Sequence, residues 1–237
     1  MAQRIIMNET GAPDVMQIEE FDLPSPGEGE VQIRQTAIGL NYMDVYQRSG
    51  YYPMKVPSPL GLEAAGEITA VGAGVDGFAV GDHVVYGGVL GAYATARNAP
   101  AARVLKIPDG ISDETASAAL MKGMTVEYLL ERTYKVQPGD QVLFYAASGG
   151  VGQIAGQWGK HLGAEMIGVT SGPENCAAAL DQGYAYAIDR KTTDIAARVK
   201  EITGGAGVPV VYDSIGKATF ETSMASLATY GLFVSFG

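Results

Sequence analysis

Two groups of residues in this sequence are of the types and spacings that chemistry needs. The first is Ala147-Ser148-Gly149-Gly150-Val151-Gly152, set where a β-branched and aromatic run, Gln141–Tyr145, hands over to a helical one. It reads AxGxxG where the usual dinucleotide fingerprint has GxGxxG. Gly149 would let the backbone approach a pyrophosphate and Gly152 would let the helix pack close to the strand, while the helix start offers unpaired N–H groups to the phosphates. A tight strand-to-helix turn without a ligand is the plainer alternative. The second group lies in NYMDVYQRSG, Asn41 to Gly50, and just beyond it. The Asn41 amide and the Tyr46 hydroxyl can donate hydrogen bonds to a developing oxyanion, and Tyr52 can line a pocket. Residue type alone equally allows Tyr46 and Tyr52 to pack the helical insert on its surroundings. Asp44 and Arg48, at helical spacing, read as a surface ion pair.

The elements that must position these groups differ along the chain. From Gln3 to about Pro108, short alternating runs (QRIIM, VMQIEEF, EVQIRQTAIGL, AAGEITAVG, DHVVYG, AYATARN and ARVLKIP) are broken by Gly and Pro, the pattern of a β-barrel or sandwich. NYMDVYQRSG is a helical insert of a turn or two within it. Ser112 then reads as the N-cap of a helix with acids in its first turn, leading into a second domain. We place the boundary between residues 1–122 and 123–237. From Gln141, strands and helices alternate: QVLFYA, Gly150–Leu162, EMIGVT, Glu174–Gln182, AYAID, Asp194–Thr203, PVVYDSI, Ala218–Ala228 and GLFVSFG. Repeated units of this kind call for a parallel sheet covered on both faces. A doubly wound dinucleotide sheet normally has six strands in the order 3-2-1-4-5-6, and only five are readable here, so the sheet is expected to be incomplete at its C-terminal edge.

The second strand bears on the choice of dinucleotide. An NAD site usually sets an acid about 20 residues past the glycines. Here the strand ends Thr170-Ser171-Gly172 with no acid before Glu174, which favours NADPH. Ser171 could hydrogen-bond the 2′-phosphate, and Arg190, beside Lys191, is the nearest cation unless it is an ordinary solvated charge.

The net charge of −10 provides no basic surface for nucleic acid or an anionic membrane. No segment is apolar for the ~18 residues of a membrane span, and the N-terminus lacks a leader pattern. The single cysteine, Cys176, leaves no intrachain disulfide and suits a reducing compartment, so the cytosol is the expected address. Cys176 and Trp158 read as packing residues. With only two histidines, His83 and His161, on different domains and each explained by packing or solvation, no metal is expected.

The runs AASGGVG, GLNYMDVYQRSGYYP, PLGLEAAGEI, GDHVVY, MKGMTVEYLL and VVYDSIG resemble, in order and from end to end of the chain, the zeta-crystallin-like quinone oxidoreductases. These are zinc-independent members of the medium-chain dehydrogenase/reductase superfamily. The resemblance implies a GroES-like β-barrel catalytic domain followed by a Rossmann domain, an active site in the cleft between them, and usually a homodimer. It also implies that roughly the last quarter of the family's length, with the sixth strand, lies outside this chain. It points to Asn41, Tyr46 and Tyr52 as active-site residues and to Thr125 as a residue that brings a hydroxyl to the cofactor; Ser214 is a further cofactor-side candidate, and Phe236 and Gly237, leaving the fifth strand, would lie near the nicotinamide by position. Asn41 and Leu62 stand where zinc-dependent relatives carry a Cys and a His. Asn175 stands where the family often has a Lys for the 2′-phosphate, with Arg190 as the substitute.

Such a protein would reduce a quinone without metal, since a quinone ring accepts hydride readily and needs mainly contact with the nicotinamide and polarisation of one carbonyl. Two rivals remain: an NADPH-dependent reductase of enone or enal double bonds, and a cofactor-binding protein without catalysis, which an unpaired sheet edge would suit.

Overall fold

The computed structural model describes residues 1–237. Alternation in the first half becomes strands β1 (Ala2–Met7), β2 (Met16–Phe21), β3 (Glu30–Gly39), β4 (Ser58–Pro59), β5 (Glu63–Val71), β6 (His83–Gly87), β7 (Ala96–Pro100) and β8 (Val104–Lys106). They form a three-stranded sheet, β2-β1-β4, and a five-stranded antiparallel sheet, β7-β3-β5-β6-β8. In β3, Val31 and Ile33 are fully buried and meet Ala64, Ile68, Val84 and Tyr86, so the inward face of the period-two pattern is the core. Burial pushes the Tyr86 phenol up to about 12. The run Ala92–Asn98, expected as one strand, is split. Ile5 N–H donates to Tyr93 O (2.8 Å) and Thr95 N–H to Gln3 O (2.8 Å), so its first half serves β1 and β7 starts only at Ala96.

Between β3 and β4, α1 (Tyr42–Ser49) occupies the expected insert and ends on Gly50 at φ 81°, a left-handed residue that glycine supplies without strain. Helix α2 (Asp113–Glu127) begins after Ser112, whose Oγ accepts the Thr115 N–H at 3.2 Å. It continues as a π-helical turn over Tyr128–Thr133. The chain divides into two compact units, Met1–Met121 and Lys122–Gly237.

In the second unit, β9 (Gln141–Tyr145), α3 (Gly150–His161), β10 (Glu165–Thr170), α4 (Pro173–Asp181), β11 (Tyr186–Asp189), α5 (Ile195–Ile202), β12 (Val208–Asp213), α6 (Phe220–Ser226) and β13 (Leu227–Ser235) alternate. All pairings are parallel, in the order β11-β10-β9-β12-β13. This is the doubly wound order 3-2-1-4-5, and the strand order reverses beside β9. Both faces are apolar: Val142 and Phe144 join the cluster containing Ala155 of α3, and Leu143 and Tyr145 join the one containing Val199 of α5. The last helix is shorter than expected, because Leu227 already pairs with Val208 before the register breaks and resumes at Val210–Leu232.

Candidate active site

In the first unit, Asn41 caps α1 and is held at both ends. Its backbone N–H donates to Asp44 Oδ2 at 2.9 Å, and the Tyr93 hydroxyl donates to the same oxygen at 2.9 Å. Its Nδ2 donates to Glu63 Oε2 at 2.9 Å. Glu63 is fully buried, and its Oε1 accepts the Met121 N–H at 2.6 Å. The expected Asp44–Arg48 surface pair is corrected: Asp44 is 3% exposed because it caps the helix, and Arg48 donates to Gly11 O at 2.6 Å.

Tyr46 stands among other phenols. Its ring centroid is 5.0 Å from Tyr42, 5.0 Å from Tyr51 and 5.2 Å from Tyr52, and Tyr52 N–H donates to Tyr46 O at 3.1 Å. Desolvation, then the neighbouring tyrosines, raise the Tyr46 phenol above its ordinary value, so at neutral pH it remains a hydrogen-bond donor. Tyr42 and Tyr51, 69% and 72% exposed, complete this aromatic patch. Sequence reasoning missed both, although the four-residue spacing of Tyr42 and Tyr46 signals contact on a helix. It also gave Glu63 no role; the available signal was a lone acid opening the small-residue run Glu63-Ala64-Ala65-Gly66.

His83 is neither simply packed nor simply solvated. Its Nδ1 lies 2.9 Å from Asp113 Oδ1, and Asp113 also accepts from the Thr36 hydroxyl. Hydrogen bonding and then charge from Asp113 raise the His83 imidazole above its ordinary value.

In the second unit, the glycine turn follows β9 through Ala146, at φ 53°, and buried Ala147. Gly149 N–H closes the turn on Ala146 O (2.9 Å), and the first helical bond runs from Gln153 N–H to Gly149 O (2.9 Å). No side chain caps α3, so the N–H groups of Gly150, Val151 and Gly152 point out of its start. A Cβ at Gly152 would lie 2.4 Å from Ala146 O and 2.5 Å from Ala147 O, so the protein's own packing requires this glycine. At Gly149 a Cβ would meet only Ala146 O, at 3.1 Å, so its small size serves whatever approaches from outside. The turn therefore fits a dinucleotide pyrophosphate. Ser148 turns inward, its Oγ 2.7 Å from Thr170 Oγ1.

At the end of β10, Asn175 Nδ2 donates to Ser171 O at 2.8 Å, closing the loop that opens α4. Arg190 is exposed and held by its backbone, N–H to Thr170 O at 3.0 Å. Between them lies a residue the sequence reading passed over: Asp189 Oδ1 accepts Gly172 N–H and Lys191 N–H, both at 3.0 Å, and these bonds, the first above all, lower its pKa. Ser214 is half-buried and follows Asp213, a fully buried carboxylate that accepts from Ile215 N–H, Gly216 N–H, Thr219 Oγ1 and Ser223 Oγ. The Phe236 ring packs on the core, 5.6 Å from Phe144. Gly237, at φ 123°, lies within 4 Å of Ser214 only in the sense that a Cβ there would be 3.8 Å from Ser214 Cβ. Thr125 is half-buried on α2, and Trp158 packs on the core while donating to Glu131 Oε1 at 3.3 Å. No three His, Cys, Asp or Glu side chains gather as a metal-holding group.

An antiparallel β unit followed by a doubly wound sheet with a glycine turn defines a medium-chain dehydrogenase/reductase. Residues 27–109 match the profile described as alcohol dehydrogenase GroES-like domain, and residues 150–237 match that described as zinc-binding dehydrogenase. The chain is 48% identical to a quinone oxidoreductase of Salmonella typhimurium, over all of this chain and 73% of that protein. It is 43% identical to a 2-haloacrylate reductase of a Burkholderia species, again over all of this chain and 73% of the relative. The solved Escherichia coli quinone oxidoreductase complexed with NADPH superposes with a TM-score of 0.96 at 46% identity, covering 99% of this chain and 73% of that one. The chain belongs to the quinone oxidoreductase family.

Proposed function

We propose that this chain reduces a quinone with NADPH. One observation carries the reading: two hydrogen-bond donors, the Asn41 carboxamide and the still-protonated Tyr46 phenol, are anchored on the same short helix, α1, in a chain 48% identical to a quinone oxidoreductase. NADPH, when bound, supplies the hydride from its nicotinamide. The N–H groups of Gly150, Val151 and Gly152 would hold its pyrophosphate. Ser171 and Arg190 would take the 2′-phosphate, with the Asp189 charge engaged by two backbone N–H groups; Thr125, Ser214 and the Phe236–Gly237 backbone would line the nicotinamide side. Asn41 and Tyr46 donate to the acceptor oxygen as charge builds on it, and Tyr52 bounds the acceptor's space. In this reading Tyr46 acts as a hydrogen-bond donor to the oxyanion, and solvent supplies the proton that completes the reduction.

A second reading, hydride delivery to the β-carbon of an electron-poor alkene, is favoured by the 43% identity to a 2-haloacrylate reductase. The test is NADPH oxidation with a simple quinone and, in parallel, with an enone, using NADH as the control cofactor. Quinone-dependent turnover that prefers NADPH is the expected result. Turnover with the enone alone moves the function to double-bond reduction.

A further inference from the structure

We infer that Asp213 is a positioning residue for the cofactor: its buried carboxylate folds the loop 214–216 into one wall of the crevice that receives NADPH. The inference rests on the cofactor site given under the proposed function. Strands β9 and β12 are parallel neighbours, with Val142 opposite Val210 and Phe144 opposite Tyr212, so both end at the same edge of the sheet. There β9 runs on into the glycine turn and β12 into Ser214. Adjacent strands lie about 5 Å apart. The strand order reverses at this pair, which is where an open parallel sheet leaves its ligand crevice. The glycine turn forms one side of that crevice and the loop after Asp213 the other.

The carboxylate determines the shape of that loop. Two consecutive N–H groups, of Ile215 and Gly216, converge on its Oδ1 at 2.8 and 3.0 Å. Thr219 Oγ1 lies 2.9 and 2.7 Å from its two oxygens, and Ser223 Oγ donates to Oδ2 at 2.7 Å. Asp213 and Ser223 are both fully buried, so α6 is a fixed base against which the loop is bent. With the two N–H groups turned inward, half-buried Ser214 and 53% exposed Ile215 are set where β9 and β12 end. Burying a carboxylate carries a desolvation penalty that an apolar side chain of the same volume would avoid. What the carboxylate adds here is one fixed conformation of the loop. A wall held in shape before the ligand arrives needs no ordering on binding.

The test is a fluorescence titration with NADPH on the whole chain, at a temperature well below each variant's Tm. Asp213→Ala removes every acceptor and releases the loop. The expected result is an NADPH Kd raised about tenfold, the size of one hydrogen bond made by the wall. Asp213→Asn keeps one side-chain oxygen for the Ile215 and Gly216 N–H groups, so it recovers most of that affinity although it is less stable than the parent. Ser223→Ala loses stability through Oδ2 without touching the loop, and its Kd stays that of the unaltered chain. Full affinity in Asp213→Ala, no recovery in Asp213→Asn, or an equal loss in Ser223→Ala overturns the inference while leaving the glycine turn as the cofactor site. No NADPH binding by the unaltered chain overturns that site and the inference with it. Should Asp213→Ala fail to fold, hydrogen exchange on the unaltered chain decides. Slow exchange at the Ile215 and Gly216 N–H groups before NADPH is added supports a preformed wall, and fast exchange refutes it.

Discussion

Replacing Gly152 by alanine tests the reading of the glycine turn on the protein's own packing. The added Cβ would sit 2.4 Å from Ala146 O and 2.5 Å from Ala147 O, both backbone atoms that no rotamer change can move. Restoring an ordinary contact of about 3.5 Å requires the start of α3 to lift by about 1 Å. Overpacking of this kind costs about 1–3 kcal/mol, and the better helix propensity of alanine returns up to about 1 kcal/mol. The net loss is about 1–2 kcal/mol, or roughly 2–8 °C in Tm. The N–H groups of Gly150 to Gly152 lift with the helix. Losing one charge-assisted bond to a phosphate, at about 1.5 kcal/mol, weakens NADPH binding about tenfold. Gly149→Ala is the control, since its Cβ meets a single atom at 3.1 Å; its Tm changes little, and any loss of affinity comes from crowding the cofactor. Thermal unfolding and a fluorescence titration with NADPH read both effects. A Gly152→Ala variant with unchanged Tm and unchanged Kd would refute the reasoning.

Other perturbations separate the remaining roles. Tyr46→Phe removes a donor while keeping the ring in its aromatic cluster, so turnover with a quinone should fall about tenfold or more with NADPH affinity unchanged; equal turnover removes Tyr46 from the mechanism. Burial alone would raise the Asp213 pKa, but its bonds from Gly216 N–H, Ser223, Thr219 and Ile215 N–H outweigh burial and lower it. Its stabilisation is therefore present above the ordinary carboxylate pKa, about 4, and is lost as pH falls through the lowered value. Asp213→Asn should be less stable than the parent by about 2–3 kcal/mol in urea at pH 7, with the gap closing in acid; a pH-independent gap contradicts the assignment. For His83 the sign is opposite. The Asp113 pair stabilises fully below about pH 6.5 and is lost as pH rises through the raised imidazole pKa, so an NMR titration should show that pKa fall in Asp113→Asn.

What the sequence disclosed divides by the range of the interactions. Strand-helix alternation and the glycine turn are local patterns, and the parallel sheet and the start of α3 follow from them. The split before β7 was hidden because β1 claims Tyr93 and Thr95 from about ninety residues away in the chain. Asp44 looked like half of a surface pair because Arg48 is four residues on, whereas its hydroxyl partner, Tyr93, is 49 residues distant. The Asn41–Glu63 bond spans 22 residues and joins a helix cap to a strand, so no local spacing announces it. The packing of the Phe236 ring on Phe144 joins two stretches far apart in the chain, so no local pattern announces it.

Helix α3 carries glycine at 150, 152, 156 and 159 among its 12 residues. A Cβ at Gly156 would meet the Tyr184 ring at 2.5 Å and one at Gly159 the Met166 sulfur at 2.4 Å, so three of the four are imposed by neighbours in the sheet layer or its turn. Each interior glycine costs about 1 kcal/mol of helix propensity, which leaves this segment unable to hold a helix by itself. Its order in time should follow: α3 is a late element, assembled on β9 and β10 once they have paired, and substitutions on its exposed face should change the unfolding rate far more than the folding rate.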